Sequence, residues 1–137
     1  MDSTIEKDAD TPQILENNRN SKPSIKLITC IIRQEKLDPV KDSLNHLNLV
    51  GGMTVTTVRG FGRQKGMVEH YRGEEVNVRF IDKVKLELAV SSDDVDDVVE
   101  TIQKNASSGL VGDGKVFISD IQEVMRIRTG EKGISAL

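Results

Sequence analysis

Two glycine-rich segments contain the residue types and spacing that favour binding of an anion. Residues 60–66 read GFGRQKG and residues 112–115 read GDGK, so each segment combines glycines with at least one cation. Glycines let main-chain N–H groups approach a phosphate or carboxylate closely, and a neighbouring cation adds favourable charge. Taken alone, each segment is equally well interpreted as a turn exposed to solvent. The second segment precedes a predicted strand and not a helix, so it is not a Walker A loop.

A pair of arginines strengthens the prediction of an anion site. Arg126 and Arg128 are two residues apart in a segment predicted to be a strand, which would place both on one face. Adjacent guanidinium groups repel unless an anion or an acid lies between them, and no acid partner is evident nearby in the sequence. Surface ion pairs with Asp or Glu are the alternative. Together with the two glycine-rich segments, the arginines predict a polyphosphate site.

The elements that must position these residues follow from apolar periodicity. Strands are predicted at 25–32, 54–59, 76–90 and 116–128, and helices at 36–49 and 91–106. Asp82 interrupts the apolar side of the third strand, so we expect its ordered part to begin near that residue. The order of elements, with a long loop before the third strand, predicts an α+β, ferredoxin-like βαββαβ fold. Both helices would cover one face of the sheet. The chain is too short to supply another element for the opposite face, which suggests that subunit association covers it.

Composition narrows the classes of function. The net charge of −3 gives no basic field, so no nucleic-acid partner is expected, and no apolar run approaches the length needed for membrane insertion. The single cysteine, Cys30, predicts core packing and a cytoplasmic location. Residues 1–24 are polar and aperiodic, which predicts a disordered N-terminal tail before a domain at 25–137.

Residues suited to catalysis are absent from the sequence pattern. His46 and His70 are isolated, there is no Cys/His cluster for zinc, and no arrangement indicates a nucleophile. The sequence has four aromatic residues, too few for the stacking face of an RNA-recognition sheet. We therefore expect a binding protein and not an enzyme.

Five motifs taken together resemble the PII nitrogen-regulatory signal proteins. They are GMTVTTVRGFGRQKG, YRGEEV, KVKLELAV, GLVGDGKVFI and RIRTGEKG, and the resemblance runs from Ile25 to about Gly133. It implies a homotrimer with ATP or ADP in the clefts between subunits. It also implies that the long loop, at about 62–80, is the T-loop that docks onto partner proteins. The loop would then report what is bound at its base.

The resemblance also assigns roles to individual residues. It implies nucleotide contacts at Thr54, Gly62, Arg63, Gly112, Asp113, Gly114, Lys115, Arg126 and Arg128. It implies 2-oxoglutarate contacts at Gln64, Gly66 and Lys83, with Gln64 joining a Mg²⁺ ion shared by ATP and 2-oxoglutarate. A dicarboxylate beside a triphosphate is repelled unless a cation bridges them, so binding of one should depend on the other. Arg33 matches a basic position near the oxoglutarate tail.

The sequence departs from the family pattern at several positions. Val76 replaces the tyrosine that is usually modified, so uridylylation or adenylylation cannot occur there, and QEK at 34–36 replaces PFK on a partner-facing surface. Tyr71 and Arg72 are the expected partner contacts. The implied function is control of an ammonium transporter, or of another transporter or enzyme of nitrogen or carbon metabolism. The alternatives are a nucleotide sensor that ignores 2-oxoglutarate, a slow ATP hydrolase without an evident residue to activate water, and a purely structural trimer.

Overall fold

The computed structural model describes residues 23–48, 51–61, 69–71, 74–76 and 80–137, with only the main chain at 69–71 and 74–76. The strands are β1 (Ile25–Arg33), β2 (Thr54–Gly60), β3 (Glu69–Tyr71), β4 (Glu74–Val76), β5 (Ile81–Ser91) and β6 (Gly114–Ile121). The helices are α1 (Leu37–Leu47) and α2 (Val95–Ala106). Nearly all of the predicted tail, 1–24, lies outside the described residues, so its disorder stays a prediction.

Four strands form one antiparallel sheet in the order β2-β5-β1-β6. Cys30 at the centre of β1 pairs with Leu86 on β5 and with Val116 on β6, which fixes the register of the three strands. The two helices pack on one sheet face. This is the predicted ferredoxin-like α+β fold, and the prediction is confirmed; the homotrimer stays a prediction.

The core lies between the helices and the sheet face formed by alternate strand residues. Its fully buried side chains come from both layers: Ile28, Cys30, Ile32, Leu86 and Val90 from the sheet, and Val40, Leu44, Val98 and Ile102 from the helices. This alternation matches the period of a strand with one covered face. Burial raises the pKa of the Cys30 thiol to about 11, so the thiol is protonated at neutral pH and packs as a small apolar group.

The last strand is shorter than predicted. Strand β6 ends at Ile121, where its partner β1 begins at Ile25, so the ladder has no further residues to pair with. The chain then reverses, and an isolated bridge joins Met125 to Lys132. Gly130, with φ 73°, donates its N–H to the Arg126 carbonyl at 2.7 Å inside this reversal. The prediction of a strand through Arg128 was therefore wrong.

The predicted third strand also changes at its start. Strand β5 begins at Ile81, opposite Gly60 at the end of β2, which confirms the expectation of order from near Asp82. The predicted segment 76–80 is not part of β5. Val76 instead ends β4, which pairs with β3 as a separate two-stranded ladder that periodicity did not predict.

The sheet face away from the helices is mixed in polarity, and none of the described elements covers it. Lys83, Lys85 and Glu87 on β5 lie on this face, opposite Val58, Thr56 and Thr54 on β2. Lys83 is nevertheless buried on this face, since only 8% of its surface is exposed. Within the part of the chain that the structure describes, neither helix is long and apolar enough to span a bilayer.

Candidate functional site

The GDGK segment lies at the end of a tight loop that joins α2 to β6. Gly112 and Gly114 have φ of 100° and 102°, a left-handed region that other residues adopt only with strain. A Cβ atom at Gly114 would lie 1.7 Å from the main-chain oxygen of Ile31. Position 114 therefore requires glycine, and this close approach to β1 places the exposed Lys115 at the start of β6.

The carboxylate of Asp113 holds the two ends of this loop together. It accepts hydrogen bonds from the Ser108 N–H at 2.8 Å and the Gly109 N–H at 3.0 Å, and also from the Ser108 hydroxyl. Arg33 Nε donates to the same carboxylate at 3.1 Å. These donors, Ser108 first, hold the pKa of Asp113 far below its usual range. The assignment of Asp113 as a nucleotide contact stays a prediction, whereas these partners give its side chain a role in shaping the loop.

Two cations hold successive carbonyl groups of the same loop. Arg33 ends β1 opposite Lys83 on β5. A terminal nitrogen of Arg33 donates to the Val111 carbonyl at 2.7 Å, and the Lys83 ammonium donates to the Gly112 carbonyl. Burial, followed by the nearby Arg33, lowers the pKa of Lys83 below its usual value. This cation pair lies on the open sheet face beneath the glycine-rich loop.

The predicted phosphate loop and the base of the long loop share one cavity. The cavity has a volume of about 400 Å³ and is lined by Lys83, Lys115, Gly112, Gly114, Gly60, Phe61, Ile31, Ile81, Val111 and Phe117. Phe61 and Phe80, which flank residues 62–79, stack edge to face with ring centroids 5.4 Å apart. The structure thus brings four predicted site residues, Gly112, Gly114, Lys115 and Lys83, to the place where the long loop leaves the sheet.

Thr54 and Arg126 line a second cavity, of about 590 Å³, together with Gly51, Gly52, Glu87 and Leu137. Thr54 pairs with Glu87, which lies four residues after Lys83 on β5, a separation of about 13 Å along a strand. Within one chain, the predicted nucleotide contacts that the structure describes therefore do not form a single cluster.

Arg126 has partners that sequence reasoning missed. It forms an ion pair with Glu131 at 3.1 Å and donates to the Ser135 and Leu137 carbonyls, both at 3.0 Å. The expectation that no acid partner lies nearby was therefore wrong. Glu131 is only five residues away and reaches Arg126 because Gly130 reverses the chain.

Arg128 lies in the turn after Arg126 and is exposed. Neither arginine is in a strand, so the prediction that they share a strand face was wrong. Gly62, Arg63, Gln64, Gly66 and Arg72 lie outside the described residues, and only the main chain of Tyr71 is described, in β3. Their assigned roles stay predictions.

Metal ligation by clustered side chains has no candidate within the described residues. No group of three or more His, Cys, Asp or Glu side chains there is placed to hold a metal ion. His46, one of the isolated histidines, is exposed on α1.

Comparison with known proteins gives one consistent result. The family model "Nitrogen regulatory protein P-II" matches residues 25–131. Nitrogen regulatory protein GlnK of Escherichia coli is 47% identical over 113 residues, which are 82% of this chain and 100% of the relative. Nitrogen regulatory protein P-II 2 of Methanothermobacter thermautotrophicus is 52% identical over 113 residues, or 82% of this chain and 97% of the relative.

A solved structure agrees with these relatives. The crystal structure of Arabidopsis thaliana PII bound to citrate matches with a TM-score of 0.69 and 33% identity. The match covers 83% of this chain and 92% of that one. Similarity of sequence and of fold thus extends over the same elements that build the glycine-rich loop and its cavity. The chain belongs to the nitrogen regulatory protein P-II family, whose members are signal transducers.

Proposed function

We propose that this protein is a PII-type sensor that binds ATP or ADP together with 2-oxoglutarate. It would regulate a transporter or enzyme of nitrogen or carbon metabolism through its T-loop. The observation that carries the proposal is the shared cavity, where Gly112, Gly114, Lys115 and Lys83 meet the base of the long loop. A ligand there touches the loop's point of attachment and so is able to select among loop shapes.

The nucleotide phosphates suit the glycine-rich side of this cavity. Main-chain N–H groups of a glycine-rich turn and the exposed Lys115 are the donors that a phosphate takes. Gly62 and Arg63 follow Phe61 directly in the sequence, and Phe61 lines the cavity. Thr54 pairs with Glu87, about 13 Å from Lys83 along β5, and Arg126 lines the same second cavity as Thr54, so these predicted contacts would not join the phosphate group at Lys115.

The separation of the two groups supports the homotrimer. A nucleotide held between subunits would take its phosphate contacts from one subunit and Thr54, Arg126 and Arg128 from the next. The open sheet face, which has no covering layer within the described chain, is the surface such an assembly would bury. The trimer is thus part of the nucleotide-site proposal.

The 2-oxoglutarate would bind beside the cation pair. Lys83 and Arg33 lie next to each other, and the burial of Lys83 makes an anionic partner favourable for its ammonium group. An ammonium has three donors, so Lys83 is able to bind a carboxylate while it donates to the Gly112 carbonyl. The Arabidopsis relative is bound to citrate, which is also a polycarboxylate, and this supports a carboxylate ligand here.

Mg²⁺ would bind at this site together with ATP and 2-oxoglutarate. The described residues offer no cluster of acidic side chains for it, which fits an ion held mainly by phosphate and carboxylate oxygens, with Gln64 as the protein ligand. The ion would supply the positive charge that lets a dicarboxylate lie next to a triphosphate. Binding of 2-oxoglutarate should therefore require both Mg²⁺ and ATP.

The T-loop, at about 62–80, would carry the signal. Its ends are joined by the Phe61–Phe80 stack, and β3 and β4 pair within it. Tyr71 is the last residue of β3 and Arg72 follows it in the sequence, and we propose both as partner contacts. Val76 stands where the tyrosine that is usually modified would lie, so nucleotidylylation is not possible at that position and ligands alone would switch the loop. The cytoplasmic location and the tail at 1–24 stay predictions.

Calorimetry on the purified protein tests this proposal. ATP is titrated first, and 2-oxoglutarate is then titrated with and without Mg²⁺ and ATP. Oxoglutarate heat that requires both Mg²⁺ and ATP is the expected result, and absence of ATP binding would overturn the proposal. Phosphate release that depends on Lys115 and exceeds background would instead indicate a hydrolase.

A second candidate is a nucleotide sensor that does not respond to 2-oxoglutarate. The bond from Lys83 to the Gly112 carbonyl favours it, because the cation expected to bind the effector already has a partner in the chain. The same titration separates the two functions: ATP heat without any oxoglutarate heat would establish the second. An oxoglutarate response that is unaltered in Lys83→Ala would instead show that Lys83 does not bind the effector.

A further inference from the structure

Arg33 and Lys83 donate to the carbonyls of two consecutive residues, Val111 and Gly112, in the loop that would bind phosphate. We propose that this cation pair positions the glycine-rich loop for nucleotide, before any carboxylate effector binds. Arg33 and Lys83 are then positioning residues for the nucleotide as well as candidate effector contacts. The inference rests on the proposed nucleotide site.

Peptide geometry explains how two cations behind the loop would prepare it. The peptide bonds here are trans, so the C=O and N–H of each peptide unit point in opposite directions. Holding the Val111 and Gly112 carbonyls toward the cations therefore turns the N–H groups of Gly112 and Asp113 away from them. Two successive main-chain N–H groups facing one way form an anion-binding concavity.

The loop needs such a restraint because of its composition. Gly112 is at φ 100° and Gly114 at 102°, and glycine populates regions of both signs of φ almost equally. Without the cations, the peptide units around Gly112 are able to rotate, and the N–H groups then lose their common direction. A ligand would have to restore it, and this ordering would weaken the ligand's binding.

Asp113 completes the restraint from the other side. Arg33 holds the end of the loop, because it donates both to Asp113 and to the Val111 carbonyl. Asp113 in turn accepts from Ser108 and Gly109 at the start of the loop. The carboxylate of Asp113 is therefore bonded within the loop and paired with a cation. This pairing offsets the negative charge that would otherwise repel a phosphate.

This arrangement gives a route for coupling between effector and nucleotide. A carboxylate bound to Lys83 would use donors on the same ammonium that holds the Gly112 carbonyl. Its binding therefore changes the strength with which the loop is held, and reciprocity requires the nucleotide to change carboxylate affinity equally. This coupling through the main chain adds to the charge bridging expected from Mg²⁺.

The test is ATP titration of Lys83→Met and Arg33→Gln with no 2-oxoglutarate present. Each variant should bind ATP about tenfold more weakly, the range expected when a hydrogen bond to a charged donor is lost. Lys85→Met is the matched control, because Lys85 lies on the same face of β5, two residues from Lys83. Its ATP affinity should equal that of the parent. Parental affinity in both test variants would overturn the inference.

A double-variant comparison separates positioning from general damage. Lys83→Met should cost much less ATP affinity in a Lys115→Met background, because both changes act through the same loop. Additive losses would contradict this. The thermal midpoint of Lys83→Met should stay close to that of the parent, because the lost bond to the Gly112 carbonyl opposes the gain from removing a buried cation. If Lys83→Met does not fold, Arg33→Gln carries the test, since the Arg33 side chain is 26% exposed.

Amide exchange in the ligand-free protein makes the inference testable apart from the proposed function. Amides of residues 109–114 should exchange at least about tenfold faster in both variants than in the parent, while those of α1 do not change. Equal exchange would overturn the inference even if ATP binds. Absence of ATP binding to the parent protein, with faster exchange in the variants, would overturn the proposed nucleotide site and leave the loop restraint intact.

Discussion

The GDGK loop and the segment around Arg126 were both predicted to bind the same polyphosphate. The two regions differ in which of their groups has bonding partners within the fold. In the loop, the cations Arg33 and Lys83 reach in from other strands, 78 and 29 residues away, and hold the main chain from behind. At Arg126, the cation itself is held, by Glu131 and by two carbonyls of the last residues.

The difference lies in which component is fixed. In the first region the main chain is fixed and Lys115 is left exposed toward a ligand. In the second region the guanidinium already has an acid partner within the chain, so a phosphate bound there would have to compete with Glu131. A cation in a motif is therefore evidence for an anion site only when its partners within the fold are known.

Gly114→Ala should break the first region most severely. The added Cβ would lie 1.7 Å from the Ile31 oxygen, in the central strand, and φ is unfavourable for alanine as well. We expect a loss of about 3 kcal/mol or more in the free energy of unfolding and loss of ATP binding. Urea unfolding and calorimetry measure these quantities.

Gly109→Ala and Gly52→Ala are the controls for that change. Gly109 has φ 79°, but an added Cβ would meet nothing within 4 Å, so only the backbone cost, about 1 kcal/mol, should be observed. Gly52 has nothing within 4 Å and no positive φ, so its substitution should be close to neutral. Equal losses at 114 and 109 would show that contact with Ile31 is unimportant.

Asp113→Asn should weaken the loop in a way that depends on pH. Because the pKa of Asp113 is depressed in the folded protein, the folded state favours the charged form. Its contribution to stability is complete above the ordinary aspartate pKa of about 4, and it is lost as the pH falls toward the folded-state pKa. The difference in urea midpoint between parent and variant should therefore be largest near neutral pH and shrink in acid. A difference that is independent of pH would contradict this assignment.

The elements of the sheet and helices could be predicted because their apolar residues repeat with the period of the local structure. Val84, Leu86, Leu88 and Val90 face the helices as alternation requires. The same rule extended β6 too far, because Val124, Met125 and Ile127 continue an apolar pattern after Ile121. The strand ends there because β1 has no more residues to pair with.

The site could be predicted only where the local backbone conformation itself requires a particular residue type. Gly114 is such a case, since its glycine is required by φ and by the approach to Ile31. The contacts of Arg33 and Lys83 could not be predicted, because they depend on how the α2–β6 loop crosses two strands. Glu131 was accessible to sequence reasoning: a glycine between it and the arginine segment allows the reversal that pairs them.

Glu131→Gln should remove the ion pair of Arg126 and leave this arginine available to a ligand, as Lys115 is in the GDGK loop. The ion pair joins side chains that are 34% and 45% exposed, so its loss should cost less than about 1 kcal/mol of stability. If Arg126 contacts phosphate, the variant should bind ATP a few times more tightly, since phosphate no longer competes with the carboxylate. Weaker ATP binding would instead show that Glu131 orients Arg126 for the nucleotide.

Arg128→Gln should have the smallest effect on stability and the clearest meaning for assembly. The side chain is exposed in the turn after Arg126, so the free energy of unfolding should change by less than about 0.5 kcal/mol. If a neighbouring subunit's nucleotide lies against this turn, ATP affinity falls while stability does not.

Mixing Arg128→Gln subunits with Lys115→Met subunits then decides where the two residues act. Residues on opposite sides of an interface leave some clefts of a mixed trimer with both native groups, so part of the ATP binding returns. Residues that act within one subunit give no such recovery, and this would place the nucleotide inside a single chain.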